Sequence, residues 1–130
     1  LKYHRENMEA NENKTSADLR QPLIEIVIES WRMAKLFHRV LGKLEPTESN
    51  RYVNQIRYFQ KRLDDMLAVA SLRLVSLEGH PYDPGMAATP LNIADFGPDD
   101  TLVVAPMMEP ILMGPDGVVK SGTILLKRAA

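Results

Sequence analysis

The chain of 130 residues has no cysteine. Disulfide staples, thiolate nucleophiles and cysteine-ligated metals are therefore excluded, and the absence fits a cytoplasmic protein. No apolar run reaches the roughly 20 residues needed to cross a bilayer, so a membrane is not an expected partner. An excess of either charge is also missing. Sixteen basic residues face 17 acidic ones, a net charge of −1, which gives no field for a polyanion. The basic residues Arg51, Arg57, Lys61, Arg62 and Arg73 are interleaved with Asp64 and Asp65, so nucleic acid is not expected either.

Markers of catalysis are equally scarce. His4, His38 and His80 are the three histidines, and none stands in HxxxH or HExxH spacing, so no metal site is expected. Gly114, Gly117 and Gly122 lack the strand–GxGxxG–helix order of a phosphate loop. No serine has a nucleophile-elbow context. Asp64–Asp65 and Asp99–Asp100 are adjacent acid pairs, whereas catalytic carboxylates need a shared cleft and opposed environments. The expectation is a binding protein, not an enzyme, with no cofactor.

What remains is pattern. Hydrophobic residues make up 45% of the chain, enough for a core. Residues 1–20 are polar, a solvated helical arm or a frayed end. Ser16 and Asp18 are candidate N-caps for a helix over 23–44, with Pro22 in its first turn. In that stretch Glu25, Glu29, Arg32, Arg39 and Lys43 hold one side. Leu23, Ile26, Val27, Trp31, Ala34, Phe37, Val40, Leu41 and Leu44 form a broad apolar face. Pro46 and Thr47 read as a stop and a new cap. A second helix is expected over about 48–78, roughly 31 residues and about 46 Å long, on the spacing of Tyr52, Ile56, Phe59, Leu63, Met66, Ala70, Leu74 and Leu77. Gly79 suits its C′ position, Pro81 forbids continuation, and the apolar last turns call for a cover.

Three β-rich runs follow, at 100–106, 108–114 and 118–128. A Gly-Pro-Asp-Gly turn at 114–117 offers Gly117 for a positive φ, and Pro106 and Pro110 mark edges or bulges. Residues 90–128 read as a small, mainly antiparallel sheet or flattened barrel. Met107, Met108 and Met113 serve either as core fillers or as an adaptable binding surface. The fold class is α+β: a helical hairpin (21–79) and a small β-domain (80–130). Two wide helix faces predict a homodimer through a four-helix bundle.

The stretch between helix and strands carries a resemblance. Tyr82-Asp83-Pro84, followed by Ala87, stands where the GrpE family of nucleotide exchange factors has its F-D-P-x-x-H-x-A turn. The stretch 28–34 resembles the family's I-D-x-L-x-R-A, and Val118, Val119 and Lys120 lie near its R-V-L-R segment. The similarity covers about residues 20–128. It implies a dimeric bundle with a β-domain that opens the ATPase cleft of a DnaK-type chaperone. It also implies Arg32, Arg39, Met113 and Lys120 as partner-binding residues and Tyr82, Asp83 and Pro84 as a structural turn. The family pattern is broken at Ala87 (usually His), at Met33 (usually Arg) and in the last strands. Those departures support the other implied reading, a dimeric scaffold or adaptor without exchange activity.

Overall fold

The computed structural model describes the backbone of residues 2–130 and the side chains of residues 18–130. Helix α1 (Lys2–Leu41) runs through Pro22, which corrects the expectation of a helix opening near Pro22. Proline removes one donor, the one that would bond the Asp18 carbonyl, and the turns on either side carry the helix past it. Asp18 lies inside α1, and the Ser16 side chain is outside the described residues. The chain divides into two compact units, residues 1–30 and residues 31–130. In the first, Ile24 and Ile28 are buried while Leu19, Leu23 and Ile26 are exposed.

In the second unit, Gly42 to Glu45 turn the chain back into α2 (Pro46–Val69). Pro46 starts this helix, contrary to its reading as a stop, because a missing N–H costs nothing where no intrahelical partner exists. Ala34 and Leu41 of α1 pack with Ile56, Tyr52 and Val53 of α2. His38 Nε2 lies 3.2 Å from Gln60 Oε1. The two helices therefore form an antiparallel hairpin.

Helix α2 ends about nine residues before the expected end. The Leu72 N–H bonds the Leu67 carbonyl and the Ser71 N–H bonds the Ala68 carbonyl, with Ser71 at φ +58°. This is a Schellman stop with serine in the left-handed position that glycine usually fills. The residues expected to be its last turns instead give strand β1 (Arg73–Val75). The apolar stretch is covered in part: Leu67 is buried and Val75 and Leu77 pack on the β-core, whereas Val69 is 89% exposed.

The β-region holds two three-stranded sheets where one was expected. One has the order β1–β4–β5, the other β2–β6–β3. Here β2 is Ala88–Pro90, β3 Leu102–Glu109, β4 Ile111–Gly114, β5 Gly117–Lys120 and β6 Gly122–Arg128. Pairings are antiparallel except β2 with β6, which is parallel. Strands β3 to β6 form one long hairpin closed at Gly114–Gly117, with Gly117 at φ +123°. Each arm changes sheet across a single residue, Pro110 on one and Ser121 on the other. Pro106 lies within a register shift of β3, as a bulge tolerates. Gly122 sits at the corner, where an added Cβ would come within 2.9 Å of both the Glu109 carbonyl and Met107 Cε. Asn92 joins the ladder through its side-chain amide, donating to the Leu126 carbonyl and accepting the Leu126 N–H. Val104, Met107, Ile111, Ile124 and Leu126 form the core of this region.

Candidate functional site

The Gly-His-Pro-Tyr-Asp-Pro stretch lies along the outer edge of β3. The His80 N–H bonds the Leu77 carbonyl, which closes a turn with Gly79 at φ +82°, a value that favours glycine. The Gly79 N–H then donates to the Val104 carbonyl, the Val104 N–H to the His80 carbonyl, and the Tyr82 N–H to the Leu102 carbonyl. Proline can sit here because the edge asks nothing of its nitrogen. An edge that would otherwise be open to another strand is thereby closed. Tyr82 packs against the β-core. Asp83 Oδ1 accepts the Gly85 N–H at 3.0 Å and the Asp83 carbonyl accepts the Met86 N–H, so Asp83 and the exposed Pro84 form the turn that follows.

Glu78, one residue before Gly79, ties this edge to the helix. Its Oε1 accepts the Met107 N–H at 3.0 Å and pairs with the Lys35 ammonium. Met107 Sδ in turn accepts the Leu77 N–H at 3.1 Å. The Lys35 ammonium lies 5.2 Å from the centroid of the Trp31 ring, within cation–π range. Trp31 packs on the core cluster containing Met107. A second carboxylate, Glu109, accepts from Thr123 at 3.0 Å and from Lys120 at 3.3 Å.

Both carboxyls titrate below their ordinary range. For Glu78, partial burial pushes the pKa up, but the Lys35 hydrogen bond, the Met107 amide and the Lys35 charge together outweigh it. For Glu109, burial again raises it, while Thr123, Lys120 and the charge of Arg32 bring it down. Carboxyls held ionised in this way serve as anchors; a general acid needs the opposite shift.

Of the four residues implied as partner-binding, Lys120 pairs with Glu109 at 3.3 Å, and the charge of the exposed Arg32 lowers the pKa of the same carboxyl. Met113 is half-buried against the β-core, and Arg39 is exposed in the last turn of α1. The chain matches no family model, and no curated protein or solved structure matches it at a significant level. Among the described residues, no cluster of His, Asp or Glu has a metal-holding arrangement, and no helix is long and apolar enough to cross a membrane.

Sequence reasoning missed Glu78, Lys35 and Glu109. Glu78 was assigned to a helix end that does not exist. The available signal was the i, i+4 spacing of Trp31 and Lys35, which puts an aromatic ring and a cation on one face of the helix.

Proposed function

We propose that the chain is a GrpE-like co-chaperone that dimerises through its helical hairpin and promotes nucleotide release from a DnaK-type ATPase. It acts by binding, in the cytoplasm, without a cofactor and without catalysis of its own; membranes and nucleic acids are not its partners. The observation that carries this reading is the joint between helix and β-region. An exchange factor of this kind is a lever: it prefers the open cleft and so weakens nucleotide affinity by the same coupling. A lever needs a stiff connection, and Trp31, the Lys35–Glu78 pair and the closed β3 edge provide one. The Tyr82-Asp83-Pro84 turn lies beside that joint, with Tyr82 anchored in the core.

A second reading, a dimeric scaffold without exchange activity, is favoured by a different observation. Met113 is half-buried against the core and Lys120 is paired with Glu109 inside the chain, which leaves Arg32 and Arg39 as the exposed candidates.

Release of a labelled nucleotide from DnaK-type chaperones of the same organism separates the two. Exchange predicts faster release, with nucleotide affinity lowered by about 5–150-fold, the usual span of allosteric coupling. It should fall when Glu78→Ala loosens the joint and when Arg39→Ala and Lys120→Ala are combined. A folded dimer that accelerates no such chaperone would overturn exchange and leave the scaffold.

A further inference from the structure

The outward side of α2 carries a row of exposed side chains whose polar groups the chain itself does not use. Arg51, Gln55, Tyr58 and Arg62 recur at steps of four, three and four, and all four are exposed. At about 100° per residue they fall within about 60° of one another. They face away from Ile56, Leu63 and Leu67, the buried residues of the same helix. The row is about 16 Å long at roughly 1.5 Å per residue. Tyr58, between the two arginines, is 67% exposed.

This row differs from an ordinary solvated face. Such faces are laced with ion pairs between adjacent turns, and α2 has one, Lys61 to Asp65 at 2.9 Å. Arg51, Arg57 and Arg62 have no ion-pair or hydrogen-bond partner among the described residues. Nor do they serve the helix dipole, which favours cations in the last turn; that turn of α2 has none. Arginine and tyrosine are the side chains, with tryptophan, most enriched at the energetic centres of protein interfaces. A guanidinium offers a planar fork that a carboxylate fits in two places at once.

We propose that this row is a docking surface for an acidic helix of a partner protein. Two of the partner's carboxylates take the forks of Arg51 and Arg62, and an apolar side chain between them lies on Tyr58. A helix is the matching shape because a second helix laid alongside repeats its side chains at the same three- and four-residue steps. A protein suits the row better than a nucleic acid: Glu48, Asp64 and Asp65 stand on the same helix and the chain carries a net charge of −1, which repels a continuous polyanion. Discrete carboxylates can meet discrete forks.

The test is fluorescence anisotropy with a labelled helical peptide of about 15 residues. Its glutamates stand on one face at steps of four, three and four, with leucines beside them. A second peptide has glutamine at every glutamate. The glutamate peptide is expected to bind the intact chain at least about tenfold tighter than the glutamine peptide. Arg51→Gln combined with Arg62→Gln should abolish that preference. Arg51→Lys with Arg62→Lys keeps the charge and loses the fork, and should weaken binding at least about threefold. Tyr58→Ala should weaken it about fivefold. Removing two exposed charges of the β-region, by Arg73→Gln with Lys127→Gln, should change affinity less than about twofold. Equal affinity for the two peptides would overturn the proposal, as would an equal loss in the β-region variant. Tighter binding of a labelled oligothymidine of about 15 nucleotides would overturn it in favour of nucleic acid. No readout involves a nucleotide or a chaperone, so failure here is separate from failure of the exchange reading.

Discussion

The β-region and the helical hairpin handle their apolar residues in opposite ways. In the β-region the large side chains Val104, Met107, Ile111, Leu112, Ile124 and Leu126 are buried within a single chain, with Trp31 and Tyr82 sealing the flanks. In the hairpin, Ile56, Leu63 and Leu67 are buried but Met33, Phe59, Met66 and Val69 are exposed. The first region completes its core alone; the second leaves large apolar side chains exposed. Burial drives folding in the former, and under the dimeric reading proposed above it would drive association in the latter.

The largest expected effect comes from cutting into the finished core. Ile124→Ala should destabilise the chain by about 2–5 kcal/mol, because the strands around it cannot collapse into the space. Chemical denaturation monitored by near-ultraviolet circular dichroism measures this. Phe59→Ala, a similar truncation on the exposed hairpin face, should leave the unfolding of the β-region within about 0.5 kcal/mol and lower self-association instead. Equal losses at the two sites would erase the contrast.

The corner comes next. Gly122→Ala forces a methyl group against the Glu109 carbonyl and Met107 Cε, an overpacking worth about 1–3 kcal/mol in the same unfolding experiment. Glu78→Ala leaves the Met107 N–H without its acceptor, a loss of about 1–2 kcal/mol. Hydrogen exchange at Met107 should rise with it.

Acid sharpens the comparison between regions. Glu78 and Glu109 have pKa values lowered in the folded state from an ordinary 4.5. Their contribution is therefore fully present above about pH 5 and is lost as pH falls through the lower, folded-state values. Stability should be flat from pH 7 to about 5 and decline below 4.5. Glu78→Gln should make that decline shallower; an unchanged acid profile would show that the joint contributes nothing through its charge.

The smallest expected effect is at the stop of α2. Ser71→Gly relieves a left-handed serine at φ +58° and should stabilise by about 0.5–1 kcal/mol in thermal unfolding.

That same serine marks where the sequence was hardest to read. The Gly117 turn, the helical hairpin and the β-rich character of 102–128 were legible, because periodicity and turn residues agree there. The breaks were not: β3 runs on through Pro106 and the stretch 118–128 divides at Ser121. The end of α2 was not, since the apolar run 67–77 suits either a buried helix or a strand and the true stop uses Ser71 instead of glycine. Strand β2 was hidden because three residues, Ala-Thr-Pro, carry too little pattern, and the side chain of Asn92 completes the ladder in place of backbone. For the candidate site, spacing could offer Arg32 and Lys120 only as separate charges. What joins them is Glu109, whose carboxylate pairs with the Lys120 ammonium across the hairpin, where Glu109 is strand-paired with Thr123 and Lys120 with Leu112, and whose pKa is lowered by the charge of Arg32.

Sedimentation equilibrium of the intact chain, run beside its Phe59→Glu variant, tests most directly whether the hairpin holds half a core. At about 10 μM, in the range where an interface of standard size assembles, the native chain should have twice its 14.7 kDa mass. The variant should fall to a single chain while its β-region keeps its hydrogen-exchange protection. A native chain that sediments as a stable, fully protected monomer would contradict the account.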